Sequence, residues 1–171
     1  GIVSAIGVLL LAIGAAERKS PGRVSTVHGR VAEIEGGEAC SACHGGWFGD
    51  MRGACSECHT DIATQVTEAS GLHGRLAPEL IANCASCHGE HHGDDFRLVN
   101  PLAFSLAGVA DASKFDHALV GFAMAGVHLT LACTKCHRNA DVDLVPEGQK
   151  RFLGLSQACA SCHADPHGGR M

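Results

Sequence analysis

Ten cysteines occur in this 171-residue chain, and every one falls in the same five-residue frame. The frames are CSACH (Cys40, Cys43, His44), CSECH (Cys55, Cys58, His59), CASCH (Cys84, Cys87, His88), CTKCH (Cys133, Cys136, His137) and CASCH (Cys159, Cys162, His163). Two thiols three residues apart, followed directly by an imidazole, offer two soft nucleophiles and one nitrogen ligand from a single turn of chain. The chemistry that uses all three together is covalent haem attachment. The thiols add across the haem vinyl groups, and the adjacent His reaches the iron from the proximal side.

Other uses of paired cysteines fit less well. Structural zinc sites join two CxxC knuckles but have no need of a His directly after each one. Thioredoxin-like redox pairs come singly on a βαβ background, which is absent here. A disulfide framework tolerates irregular spacing and has no use for five identical His positions. Five frames that consume all ten cysteines predict five covalently attached haem c groups.

The chain has 12 histidines. Those outside the frames are His28, His73, His91, His92, His117, His128 and His167, seven candidates for five sixth-ligand positions. They recur in repeated contexts. His28 and His73 each open a His-Gly-Arg tripeptide 11 or 12 residues before a frame cysteine. After Cys87 and Cys162, "CHGEHHG" and "CHADPHGG" each place an acidic residue and then a His-x-Gly, which aligns His91 with His167 and leaves His92 as the spare. The loop after His88 is too short to return to its own distal face, so His91 or His92 is expected to serve a neighbouring haem. Met51 is the one methionine left open as an axial ligand, whereas Met124 reads as packing. Ligation of all five irons by two histidines is the expectation, which implies low-spin irons of low potential.

The densest segment is "FDHALVGFAMAGVHLTLACTKCH", Phe115 to His137. An aromatic-x-His and then a Gly-x-His precede the CxxCH frame. In this it resembles the class III multihaem cytochromes, the cytochrome c3 and c7 group and their longer relatives. The resemblance implies that His117 and His128 are distal ligands and that Phe115 and Phe122 pack on porphyrin faces. It covers this segment well and the rest of the haem-bearing part loosely. The chain departs from the smallest members in haem number, in its hydrophobic start and in lacking closely paired distal histidines.

Elements that hold such groups need little regular structure. With no Tyr, one Trp, six Phe and 22 Gly, the chain is poorly equipped for an aromatic-rich core, and porphyrins are expected to fill that role. The predicted fold is mostly α with extensive coil, a multihaem cytochrome c fold built around its haems with little or no β-sheet. Short helices are expected at about Pro78 to Cys87 and Gly148 to Cys162, each running into a frame. Residues 93–116, the longest stretch without a haem ligand, are apolar enough to pack on porphyrin or on a partner.

Residues 1–16 carry no charge and would span about 24 Å as a helix, a little short of a bilayer core of about 30 Å. With no initiating Met the run is expected to be N-terminally incomplete. Its "IGAA" also resembles a signal-peptide cleavage site. A retained transmembrane helix is the expectation, with residues 17–36 as a linker and 37–171 as the pentahaem domain.

The expected function is electron transfer, not catalysis, because an iron with both axial positions filled does no bond chemistry. Frame starts 15, 29, 49 and 26 residues apart keep the haems close. The expected location is the cytoplasmic membrane, single-pass, with the haem domain on the periplasmic side. Partners would be a quinol-oxidising or photosynthetic membrane complex, other cytochromes, or both. Alternatives are a subunit of an extracellular cytochrome filament and a multihaem oxidoreductase with one open iron. Filament or oligomer contacts, or a longer chain, would give His167 a haem outside this set. The net charge of −5, made more acidic by haem propionates, favours a basic docking partner. No basic patch points to nucleic acid.

Overall fold

The computed structural model of the chain describes residues 4–10, 21–34, 40–45, 49–164 and 168. Among these the regular structure is helical, and there is no strand. The α-helices beyond residue 20 are short: α1 Thr26–Gly29, α2 Cys40–His44, α3 Met51–Cys58, α4 Thr60–Thr67, α5 Pro78–Ala82 and α6 Pro101–Leu106. Single 3₁₀ turns fill much of the remainder.

Local chemistry explains where the helices start. Asp50 precedes α3 in extended backbone, and its carboxylate accepts from Gly53 N at 2.6 Å, satisfying an otherwise unpaired donor. Asn100 does the same for α6, accepting from Ala103 N at 3.0 Å, and Pro101 follows at the first helical position. α5 likewise begins on Pro78, but Asn83 leaves helical backbone at φ −131°, ψ 86°. The helix expected from Pro78 to Cys87 is therefore α5 followed by a separate 3₁₀ turn, Cys84–Ser86.

The helix expected from Gly148 to Cys162 is reduced to the turn Cys159–Ser161. Gly154, at φ +84°, sits mid-stretch in the left-handed region, where a right-handed helix cannot continue.

A further correction concerns the N-terminus. The expected transmembrane helix over 1–16 is helical at residues 4–10, and no helix among the described residues is long and apolar enough to cross a membrane. The described part rises about 10 Å, against a hydrocarbon core of about 30 Å, and residues 1–3 and 11–16 of the expected span lie outside the described residues. The single-pass location at the cytoplasmic membrane, with a periplasmic haem domain, rested on that helix and falls with it.

The linker expected at 17–36 is described from 21 to 34, and that part is packed. Thr26 N donates to Asp94 O at 3.0 Å, Gly93 N donates to Arg23 O at 3.1 Å, and Arg23 pairs with Asp94 at 3.1 Å. Together these dock the segment on the loop 89–94. Ser25, within this segment, is the only side chain among the described residues with no exposure at all. Longer-range ties fasten earlier segments to residues 143–150. Lys150 pairs with Asp61, Arg30 donates to Val145 O at 3.0 Å, and Arg97 pairs with Asp143 at 2.7 Å.

What these ties enclose is not a core of side chains. Among the described residues only Ala103, Ala140 and Ser25 are buried, while Leu102, Val127, Leu129 and Leu155 are at least half exposed. The accessible surface is 12720 Å², against about 7,900 Å² expected for a compact folded chain of this size. Apolar side chains left facing open space do not stabilise a fold, since that stabilisation scales with apolar area removed from water. The polypeptide stripped of any bound group is expected to melt without a cooperative transition. Thermal circular dichroism and size-exclusion chromatography would check this, a sharp melt of a compact species being the contrary result.

Candidate functional site

Each five-residue frame is wound into one turn. The N–H of the frame histidine donates to the carbonyl of the first cysteine at 2.9 Å in Cys55–His59, 3.0 Å in Cys84–His88, 2.8 Å in Cys133–His137 and 2.9 Å in Cys159–His163. Cys40–His44 is helical throughout as α2. Positions i, i+3 and i+4 share a face of such a turn, so both thiols and the imidazole of a frame emerge on one side. None of the ten cysteines is in a disulfide. Burial raises the thiols of Cys43 and Cys55, with nearby acidic groups adding to it: Glu90 beside Cys43 and the Cys84 thiol beside Cys55.

The five frame imidazoles each stand opposite a different imidazole from elsewhere in the chain. His44 faces His91 with ring centres 6.2 Å apart, His59 faces His28 at 5.8 Å, and His88 faces His73 at 6.2 Å. His137 faces His117 at 6.1 Å, and His163 faces His128 at 5.8 Å. Aromatic rings in direct contact spread over centre separations of about 4.5–7 Å. Five separations confined to 5.8–6.2 Å match another geometry. Two imidazole–metal bonds of about 2 Å, with each ring centre set back about 1 Å from its nitrogen, span about 6 Å. The residues present thus fit an iron held between two histidines, with both thiols of the frame beside it.

Hydrogen bonds on the far side of the rings agree with that use. Nδ1 of His91 meets Gly22 O at 3.0 Å, Nδ1 of His117 meets Phe115 O at 3.0 Å, and Nδ1 of His88 meets Leu98 O at 2.8 Å. Nδ1 of His73 lies 3.4 Å from Gln65 Oε1. A carbonyl can only accept, so Nδ1 carries the proton and Nε2 keeps its lone pair for a metal. Burial pushes His59, His73 and His137 below the ordinary histidine value, and neighbouring imidazoles push the same way. These rings are neutral at neutral pH, the form that ligates.

Backbone strain supports one pair. His91 adopts φ 69°, a left-handed conformation unusual for a residue with a side chain. Its carbonyl lies against Gly22, where an added Cβ would come within 2.8 Å of His91 O, so only glycine fits.

The pair His117/His137 is framed by phenylalanines. Phe115 packs edge-on against His117 with centres 5.2 Å apart, Phe104 links Phe115 to Phe152, and Phe152 packs on His137 at 5.3 Å. A cavity of about 370 Å³ lies against His117, with Phe115, Met124 and Leu129 in its lining. Nδ1 of His137 is buried without a hydrogen bond of good geometry, and the Phe152 backbone opposes only in part the lowering by burial and by His117. Just beyond, Arg151 Nη1 donates to the carbonyls of Asn139, Ala140 and Val142 at 2.9, 3.0 and 2.7 Å, clamping the loop that leaves His137.

Of the remaining candidates, His92 packs on Phe96 with centres 4.5 Å apart and takes no part in the five pairs. Met51 opens α3 and is 38 % exposed, and every frame imidazole already faces another imidazole. Phe122, expected on a porphyrin face, is 37 % exposed. His167 lies outside the described residues. Among the described residues no three His, Cys, Asp or Glu side chains gather to hold a bare metal ion.

The chain matches no protein-family model, no curated protein and no solved structure. The site therefore stands on its own geometry.

Two residues of the site had only a faint signal in the sequence. Glu90 is the acidic residue of the repeat after Cys87, and its carboxylate accepts from Ser25 N and Ser25 Oγ, both at 2.7 Å, and from His28 Nδ1. Burial alone would raise its carboxyl, but the bonds from Ser25 and His28 outweigh that and hold it below the usual carboxylate range. Ser25 carried no pattern of its own.

Replacing Arg151 by Met leaves three half-buried carbonyls without their donor, a loss of about 1–3 kcal/mol. Faster proteolysis and amide exchange confined to residues 139–143 is the expected outcome. Unchanged exchange there would remove the clamp from the account of this site.

Proposed function

We propose that the protein is an electron carrier holding five c-type haems, each iron ligated by two histidines. The observation that carries this reading is the pairing of all five frame imidazoles with five separate imidazoles at one common spacing. In this reading the first frame takes His91 as its sixth ligand, the second His28, the third His73, the fourth His117 and the fifth His128. Haem iron so ligated supplies reversible one-electron exchange between its ferric and ferrous states.

The chain's own residues would do the rest. The cysteines would anchor each group covalently, and the paired histidines would hold its iron from both sides, leaving no opening for a substrate. The carbonyls of Gly22, Phe115 and Leu98 orient the rings and keep Nε2 available. Exposed leucines and valines such as Val127, Leu129 and Leu155 supply the apolar surface that flat porphyrins would cover.

The first three sites belong together. The Cys55 thiol lies close enough to Cys84 to hydrogen-bond, Cys43 feels the Cys58 thiol, and His59 feels His88. Proximity of this kind suits electron hopping within the chain, with other redox proteins as donor and acceptor. A catalytic role needs an iron with one open face, and an imidazole opposite every frame histidine weighs against it.

Low-temperature electron paramagnetic resonance of the oxidised, haem-loaded chain tests the reading. Five low-spin ferric signals unresponsive to cyanide or nitrite are expected. The ring planes add detail. Three pairs lie within 22–35° of parallel, whereas His28/His59 and His128/His163 are crossed at 70° and 84°. Parallel rings split the iron orbitals and crossed rings leave them nearly degenerate, so three rhombic and two strongly anisotropic signals are expected. In His73→Ala one rhombic signal is expected to turn high-spin and bind cyanide. A high-spin signal in the unaltered chain, or no haem at all, would sink the proposal.

A further inference from the structure

The outward nitrogens of the non-frame histidines do not all meet the same kind of acceptor. His91 and His117 donate to neutral backbone carbonyls, and His73 lies near a neutral amide oxygen. Among the described residues His28 alone of this set meets a carboxylate, Glu90, whose own exposure is only 18 %. That carboxylate is held by two further donors from Ser25, the one fully buried side chain among the described residues. A serine buried in order to aim a half-buried carboxylate at an imidazole is a costly arrangement unless the charge itself is used.

We propose that Glu90 is a positioning and tuning residue for the His28/His59 site, and that it holds that site's reduction potential below those of the sites whose imidazoles meet neutral acceptors. The inference rests on the haem reading above. A full negative charge accepting from Nδ1 draws the proton outward and makes Nε2 a stronger electron donor. A stronger donor favours the ferric over the ferrous state, and the low local dielectric around a half-buried carboxylate adds to this in the same direction. No group is oxidised or reduced other than the iron, and the proton stays between Nδ1 and Oε1.

The placement of Glu90 gives the device a structural setting. It lies between His88, the frame histidine of the third site, and His91, which faces His44 of the first site. One short loop therefore carries a ligand for each of two sites and the hydrogen-bond acceptor for a third. Lowering the potential of the second site would set it apart as the step in this group of three that is reduced last.

Glu90→Gln in the full, haem-loaded chain removes the charge at nearly constant shape: the amide oxygen still accepts from Ser25 Oγ and His28 Nδ1, and only the bond from Ser25 N to the second oxygen is lost. Haem is first counted by its reduced pyridine absorbance, and the five steps are then followed by spectroelectrochemistry with resonance spectra at each potential. One step is expected to shift toward easier reduction by about tenfold, or about 59 mV for one electron. That step should be one of the two strongly anisotropic signals, since His28 and His59 are crossed at 70°. Ser25→Ala, which only loosens Glu90, is expected to move the same step in the same direction by less. Five unmoved steps, or an equal shift of several, would overturn the role of Glu90 while leaving the haem reading intact. A chain with no haem would overturn both.

Discussion

Five gaps of nearly equal width between facing imidazoles organise this molecule. The partners of each pair lie 15 to 47 residues apart in the chain, so bringing them to 5.8–6.2 Å fixes how every loop must run. The gap has the width of a metal held between two imidazoles. With only Ala103, Ala140 and Ser25 buried, the described chain has almost no interior of its own to hold the pairs together. Polar ties do part of that work. Arg151 clamps the loop after His137, Lys150 and Asp61 join distant segments, and the Ser25–Glu90 contact seats the N-terminal segment on the loop 89–94. The larger share falls, in the function proposed here, to groups that occupy the gaps.

This division of labour accounts for the short elements. A helix in an ordinary domain is stabilised chiefly by packing an apolar face, and long helices give that face more area. Here the elements that carry a frame need only present two thiols and an imidazole on one side, which a single turn accomplishes. Capping by Asp50 and Asn100 and the proline starts of α5 and α6 are local devices that work at this length. Among the described residues left-handed backbone outside glycine falls at Ala69 and at His91, one of the facing imidazoles.

The loop from His88 to Asp94 joins several sites at once. It supplies one frame histidine, one facing histidine, a carboxylate for a third ring and the anchors for residues 23–26. A change in this loop would be felt at three sites together, whereas the His117/His137 pair is braced separately by Phe104, Phe115 and Phe152. Two neighbourhoods of different construction thus share one chain.

The five frames and the pool of seven further histidines were legible in the sequence because thiol–imidazole spacing is a local property that no fold is needed to reveal. The helical character, with no strand among the described residues, was expected from the five frames together with the composition. The spanning helix was misjudged because uncharged residues set only an upper limit on helix length, and the helix over Gly148–Cys162 because apolar spacing does not register a left-handed glycine. Which histidine faces which, that His92 is left on Phe96, and that Ser25 is buried to hold Glu90 against His28 were decided only in three dimensions. Spacing along a chain limits which residues can meet within one turn. Meetings across 15 to 47 residues depend on how every intervening loop closes, and that is a property of the folded whole.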